Sequence, residues 1–114
     1  GAIAATNDIT AYYSSDKRLK ENIIPIDNPI EKINQISGVE IDWKPLTEEE
    51  RKSIHSHEGH DIGVIAQEIE EILPDVVETR DNGYKAVKYE KIVPLLIEAV
   101  KQQQKQIEEL KGRE

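Results

Sequence analysis

The chain has 114 residues, of which 37% are hydrophobic and 33% are charged, and its formal net charge at pH 7 is −8. The absence of Cys excludes disulfides and thiolate chemistry, while the acidity and the lack of an apolar run of ~20 residues argue against nucleic-acid and membrane partners. With one Trp, four Tyr and no Phe, one copy has few large side chains for a core, so we expect a small domain that forms an oligomer.

Three parts are expected along the chain. Residues 1–14 are small and polar, and we interpret them as a leader, either a linker or the end of an upstream region. Residues 15–91 carry the patterns of a compact domain, and residues 92–114 predict a C-terminal helix.

A short helix is predicted after Asn28. This residue can cap the helix, Pro29 suits its first position and Glu31 lies where a capping carboxylate belongs. Gly38 can end the helix. Its apolar face would consist of Ile30, Ile33 and Ile36.

The next segment predicts a strand followed by an exposed stretch. Val39, Ile41 and Trp43 alternate with charged residues, which is typical of a half-buried strand. Thr47 and Glu50 have the spacing of a capping box, but the residues that follow are almost all polar. We therefore expect a short exposed helix or a mobile loop here.

A second helix is predicted over residues 66–73, because Pro74 cannot continue it. After it, Val76-Val77 and residues 84–89 flank an Asn82-Gly83 pair, a strong short-range signal of a hairpin. The expected fold class is therefore α+β, a small mixed domain of helices and a short hairpin or sheet that ends in a coiled-coil helix.

The C-terminal helix carries the clearest periodicity. Residues spaced alternately three and four apart predict a heptad seam, formed by Val93, Leu96, Val100, Gln103, Ile107 and Leu110. Because Ile107 is the one apolar residue between 102 and 109, this half of the helix pairs with copies of itself or frays. A polar Gln103 in the seam costs stability and can specify register and strand number.

His55, His57 and His60 lie near Glu58 and Asp61 in a polar stretch. A zinc signature of the HExxH type is absent and no Cys adds a ligand, so a hydrophilic loop is the favoured interpretation. No metal and no other cofactor is expected. His60 could still support a reaction at a bond nearby.

One constellation could supply a nucleophile and a base. Ser15 precedes Lys20 by five positions in the run SSDKRLK, which starts at Ser14. A lysine activates a hydroxyl only when its amine is neutral, and neighbouring cations or burial at a subunit interface favour that form. From spacing alone, a solvated basic turn is the default interpretation.

The same run resembles a known family. Residues 15–23, SDKRLKENI, closely resemble the SDxRLKxNI opening of the phage intramolecular chaperone domains, also called the endosialidase-type chaperone or peptidase S74 family. Residues 61–68, DIGVIAQE, resemble the second motif of that family. Lys88-Tyr89 and residues 93–101 resemble its closing block, so the motifs occur in the family's order over most of the chain.

The resemblance implies a C-terminal chaperone that is a homotrimer, with the last helix as a trimeric coiled coil. Such a domain assists folding of the β-helical or fibrous region upstream in the same polypeptide, a phage tail fibre or tailspike. It is then released by autoproteolysis from a virion precursor made in the host cytoplasm. By position, Ser15 is the nucleophile and Lys20 the general base of a single-turnover serine endopeptidase, with Gln67 and Glu68 as supporting groups near the junction.

The expected cut is Ser15–Asp16, and Ser14–Ser15 is the second choice. A Ser hydroxyl attacks most naturally the carbonyl before it, which would break Ser14–Ser15. A cut after Ser15 needs another attacking group, Ser15 of a neighbouring subunit or a different geometry, and Asp16 offers a carboxylate beside the bond.

Three other interpretations remain. A structural trimerisation tip that does not cleave shares the coiled coil and predicts that Ser15→Ala changes nothing. A protease acting in trans would cut an added peptide that spans residues 9–20. An autocleaving domain of a membrane-bound transcription factor, as found in animals, would share the same motifs.

Overall fold

The computed structural model describes residues 14–51 and 58–113. The predicted leader lies outside these residues except for Ser14, and so do His55 and His57. In the described part, the elements are α1 Pro29–Ile33, β1 Val39–Asp42, α2 Glu48–Arg51, β2 His60–Gly63, α3 Ala66–Ile72, β3 Val77–Thr79, β4 Lys85–Val87 and α4 Val93–Lys111, with 3-10 turns at Lys17–Leu19, Pro74–Val76 and Tyr89–Lys91. Helices combined with small antiparallel sheets confirm the predicted α+β class.

The hairpin predicted around Asn82-Gly83 is present. β3 and β4 pair as antiparallel strands. The Arg80 N–H donates to the Tyr84 carbonyl at 2.9 Å and closes the turn. Gly83 has a φ of 86°, a left-handed conformation that favours glycine and explains its place in the turn.

β1 forms as predicted, but its partner strand β2 is not evident from the sequence. The two strands pair antiparallel, with Val39 opposite Gly63 and Asp42 opposite His60. The one large apolar residue of β2 is Ile62, which is 74% exposed, so no alternating pattern marks this strand. β2 forms because its backbone supplies the hydrogen-bonding partners that β1 needs.

The capping box of Thr47 and Glu50 is confirmed. The Glu50 N–H donates to Thr47 Oγ1 at 3.1 Å, and the Thr47 N–H donates to Glu50 Oε1 at 3.0 Å. The Tyr84 hydroxyl donates to Glu50 Oε2 at 2.7 Å and joins α2 to the hairpin turn. The bond that the Glu50 carboxylate accepts from the Thr47 N–H, followed by the bond from the Tyr84 hydroxyl, lowers the pKa of Glu50.

The core of the domain is small. It joins α3 to the β3–β4 hairpin and to the start of α4 through Ile69, Val76 and Ile92. The partly buried residues packed against it are Ile36, Val64, Leu73, Val77 and Val87. Among the described residues, Ile69 and Leu95 are the large side chains that are completely buried. A core of this size supports the expectation that the chain gains stability from association.

The start of α1 differs from the prediction. Asn28 has a left-handed φ of 45°, and neither its side chain nor that of Glu31 caps the helix. The acceptor comes instead from α4, because the Ile30 N–H donates to Gln102 Oε1 at 3.3 Å. Pro29 occupies the first helical position as predicted and is buried. A residue distant in sequence therefore caps this helix.

α1 also ends earlier than predicted, after Ile33 and not at Gly38. Ile36 leaves the helical face and packs against the core. The loop that follows is held by Glu68, whose Oε1 accepts the Ser37 N–H at 3.0 Å. A tertiary hydrogen bond therefore shapes the loop where a glycine end was expected.

Replacing Gln102 by Ala is expected to lower the free energy of unfolding by about 0.5–2 kcal/mol, because the Ile30 N–H loses its acceptor. Gln106→Ala is the matched control, since Gln106 is an exposed glutamine of the same helix. It should change the free energy of unfolding by no more than about 0.5 kcal/mol. Urea unfolding followed by circular dichroism measures both, and equal losses would contradict the capping role.

Candidate functional site

The structure brings Ser15 and Lys20 together. Lys20 Nζ donates a hydrogen bond to Ser15 Oγ at 2.9 Å. Between them the backbone makes one 3-10 turn over Lys17–Leu19, closed by the Lys20 N–H, which donates to the Lys17 carbonyl at 3.1 Å. The turn bends the chain so that two side chains five positions apart meet.

Asp16 begins this turn and is bound by Arg18. As the N-cap residue, Asp16 accepts the Arg18 N–H on Oδ1 at 2.8 Å. The guanidinium of Arg18 binds the same carboxylate, with Nε 3.1 Å from Oδ1 and Nη2 2.8 Å from Oδ2. The side-chain bonds to Arg18, followed by the bond to its backbone, hold the pKa of Asp16 below its usual range.

This pairing changes two expectations. Cations next to Lys20 were expected to repel a further positive charge, but the charge of one of them, Arg18, is balanced by Asp16. Asp16 was expected to offer a carboxylate beside the bond, but both of its oxygens accept hydrogen bonds from Arg18. The sequence signal that could have predicted this pairing is an Asp in a capping position, Asp16, two residues before the donor Arg18.

The site is open to solvent in a single chain. Ser15 and Lys20 are exposed. The large apolar side chains nearby in sequence are exposed as well, Leu19 by 72%, Ile23 by 62% and Ile24 by 82%. A neutral amine that accepts a hydroxyl proton is favoured where water is excluded. One chain therefore positions the two groups without excluding water from them.

His60 makes its contacts within the β1–β2 pair. Its Nδ1 is 2.9 Å from Asp42 Oδ1 and its Nε2 is 3.0 Å from Glu40 Oε1, both on β1. Hydrogen bonding to Asp42 and then to Glu40, with a smaller contribution from the charge of Asp61, raises the pKa of His60. These contacts tie two strands together and place the ring against β1, not against Ser15.

Gln67 and Glu68 lie near the start of α3. Glu68 accepts hydrogen bonds from Ser37, at 3.0 Å from the backbone N–H and 3.4 Å from the hydroxyl. Gln67 is exposed. In the part of the chain that the structure describes, neither is hydrogen-bonded to Ser15 or Asp16, so the contacts of Glu68 support the loop before β1.

The predicted seam of α4 is a stripe of exposed side chains. The apolar members are Val93, Leu96, Val100, Ile107 and Leu110, exposed by 51%, 46%, 62%, 46% and 58%. Gln103 is exposed as well. A second face of the helix carries Leu95 and Ala99, which are buried, and Gln102, which contacts α1. α4 therefore packs one face within the chain and leaves an apolar face uncovered.

A cavity of about 240 Å³ is lined in part by Trp43, Arg51 and Glu58, and neither Ser15 nor Lys20 contributes to it. Over residues 14–51 and 58–113, no group of His, Asp or Glu could hold a metal ion. No helix in these ranges combines the length and apolar character needed to cross a membrane.

Comparison with known proteins adds a family match and several relatives. Residues 15–78 match the model of the family Peptidase S74, described as chaperone of endosialidase. The matched residues begin at Ser15 and include the turn that ends at Lys20.

The relatives are long tail fiber proteins. The chain is 32% identical over 111 residues to Gp37 of Enterobacteria phage K3 and to Gp37 of Enterobacteria phage T2, matches that cover 94% of the chain and 8% of each relative. It is 33% identical over 101 residues to Gp37 of Salmonella phage S16, with 86% of the chain and 13% of that protein covered. The chain thus spans a small part of the length of these curated relatives.

Proposed function

Because the chain belongs to the Peptidase S74 family, the chaperone of endosialidase, we propose that it is an intramolecular chaperone of a phage tail fibre that assembles as a homotrimer and releases itself by autoproteolysis. The upstream region of the same polypeptide is its folding client. After the cut the chaperone leaves, and the fibre becomes part of the virion. Similarity to the tail fiber proteins supports the choice of client.

The hydrogen bond between Lys20 Nζ and Ser15 Oγ carries the proposal of self-cleavage. When neutral, the amine takes the hydroxyl proton while Oγ attacks a peptide carbonyl carbon. The C–N bond then breaks, the leaving nitrogen receives the proton, and water hydrolyses the resulting ester. Because the substrate is the chain itself, each copy acts once.

Two bonds are compatible with this chemistry. Attack on the carbonyl before Ser15 breaks Ser14–Ser15 within one chain. Breaking Ser15–Asp16, the first choice from the family motif, requires a hydroxyl from outside that chain, such as Ser15 of a neighbouring subunit, or another geometry. The turn that begins at Asp16 holds the residues on the C-terminal side of either bond.

The exposed stripe on α4 supports association as a trimer. Its apolar side chains follow the a and d positions of a heptad, so three parallel copies can cover them mutually. The seam has about three heptads, which is marginal by itself, so the domain before it contributes to the interface. Burial of the exposed Leu19 and Ile24 between subunits would also exclude water from the neighbouring Ser15–Lys20 pair.

A releasable trimer suits the folding problem of a long fibre. Pairing of separate chains costs loop-closure and association entropy before contacts offset it. A small domain that trimerises first holds three chain ends in register and raises their effective concentration. Once the fibre has formed and the domain has left, unfolding cannot be reversed, which gives the fibre kinetic stability.

The test is intact-mass analysis of the chain carrying its upstream segment, alongside Ser15→Ala. We expect the original chain to be cut and Ser15→Ala to stay whole. Both should elute as trimers in size-exclusion chromatography. A released fragment that begins with Asp16 identifies the first-choice bond, and one longer by a single Ser identifies the second. Ser14→Ala is the matched control and should still be cut.

Two results would change the proposal. A trimer that stays whole with Ser15 intact would remove the peptidase activity and leave the non-cleaving trimerisation tip. A chain that is cut as a monomer would show that self-cleavage does not require the trimer.

A further inference from the structure

We propose that Arg18 is a positioning residue that reserves the Asp16 carboxylate and thereby leaves Lys20 to bind Ser15. The proposal rests on the proposed self-cleavage and adds a residue that touches neither the scissile bond nor the nucleophile. In the structure, Arg18 binds Asp16 and makes no hydrogen bond to Ser15 or Lys20.

The geometry shows a carboxylate whose acceptor sites are occupied by one residue. Asp16 Oδ1 accepts the Arg18 N–H at 2.8 Å and Nε at 3.1 Å. Its Oδ2 accepts Nη2 at 2.8 Å and Nε at 3.3 Å. The amine of Lys20 reaches Ser15 Oγ at 2.9 Å instead of the carboxylate. The two cations therefore have separate partners.

The charged side chains on this turn are those of Asp16, Lys17, Arg18 and Lys20, with Glu21 directly after it. Within the described ranges, no ion pair joins the turn to another element. Asp16 is the carboxylate that begins the turn, and Lys20 is the lysine that ends it. In this proposal, competition between Arg18 and Lys20 for the Asp16 carboxylate determines whether the lysine amine stays beside Ser15.

Arginine suits this task better than lysine. Its guanidinium is always charged and presents a planar fork that matches both carboxylate oxygens. If the fork is removed, Asp16 becomes an unpaired anion within one turn of Lys20. An ion pair between them would draw the amine away from Ser15 and favour its protonated form, which cannot act as a base.

The first readout is the dependence of the cleavage rate on pH. In Arg18→Gln, we expect the rate at a given pH to fall about tenfold and the midpoint of the profile to rise by about one pH unit. Arg18→Lys should lie between Arg18→Gln and the original protein, because one ammonium pairs with the carboxylate but lacks the fork. Lys17→Gln removes an exposed cation from the same turn without releasing the Asp16 carboxylate, and it is the control whose profile should shift much less than that of Arg18→Gln.

A second substitution separates charge competition from loss of structure. Asp16→Asn removes the anion, while its carboxamide oxygen can still accept the backbone N–H of residue 18. The double variant Asp16→Asn with Arg18→Gln should be compared with Asp16→Asn alone. Its pH profile should have the same midpoint, and its cleavage rate should be nearly the same. If the double variant is as slow as Arg18→Gln, Arg18 merely supports the turn and the proposal is wrong.

The other readout does not depend on cleavage. In the Ser15→Ala chain, the side-chain carbon resonances of Lys20 are followed with pH, with and without Arg18→Gln. The titration midpoint of the amine should rise by about one pH unit when Arg18 is replaced, and an unchanged midpoint would overturn the proposal. Failure of the original protein to cleave would end the proposed self-cleavage, while this titration still decides the role of Arg18.

Discussion

Lys20→Met is expected to slow self-cleavage by about 10²–10⁴-fold, because the hydroxyl of Ser15 loses the amine that is 2.9 Å away and could take its proton. Met has a similar length and leaves the exposed turn unstrained. The rate is measured from the intact mass of the chain at successive times after synthesis or after transfer from acid.

Lys20→Arg makes this prediction sharper. Arginine keeps the positive charge and the hydrogen-bonding capacity, but its guanidinium does not give up its proton in proteins. The variant should therefore be as slow as Lys20→Met. Lys17→Met is the matched control, an exposed lysine of the same turn, and should be cut at the original rate. Cleavage of Lys20→Arg at the original rate would show that a positive charge, and not a base, is needed.

The double substitution Val100→Glu with Ile107→Glu is expected to abolish the trimer. Val100 is 62% and Ile107 46% exposed in one chain, so both still have about half of their surface to bury. That burial is worth roughly 1 kcal/mol per side chain, and the substitution also places like charges against one another in the interface. Since neither side chain belongs to the core of its own chain, the variant should fold as a monomer.

Sedimentation equilibrium measures the association, and circular dichroism checks that the monomer is folded. Lys105→Glu is the matched control: it lies on α4 outside the seam and, like the double variant, lowers the net charge by two. It should remain a trimer. A double variant that still forms trimers would place the interface elsewhere on the chain.

The same variant tests whether assembly controls the cut. If subunit contacts exclude water from the pair formed by Ser15 and Lys20, the monomer should be cut much more slowly than the original trimer. Cleavage of the folded monomer at the original rate would show that the chemistry needs one chain only. In that case the release of the domain would not depend on whether the trimer has assembled.

Short-range patterns were predicted best. The capping box of Thr47 and Glu50 and the turn at Asn82-Gly83 both lie within a few residues, so covalent geometry determines which atoms can meet. The spacing of the seam residues predicted a heptad seam, and the apolar members of that seam are exposed on α4 in one chain. The contact of Ser15 with Lys20 is also local, since one turn of backbone separates them, but the spacing alone favoured a solvated basic turn and only the family resemblance pointed to this pair.

Contacts between distant segments were not predicted. The acceptor for the start of α1 is Gln102, 72 residues from Ile30, although the local sequence offered Asn28. His60 looked like a member of a polar loop but pairs with the carboxylates of β1. Glu68 looked like a neighbour of the cleavage junction but binds Ser37.

By itself, the sequence determined the elements whose contacts are local and the heptad spacing of the apolar residues along α4. The tertiary structure decided which strand pairs with β1 and which distant side chains satisfy α1 and the loop after it. The physical reason is that a backbone N–H can donate to any suitably placed oxygen. Which oxygen arrives depends on how α4 and α3 pack, and not on the residues beside the N–H.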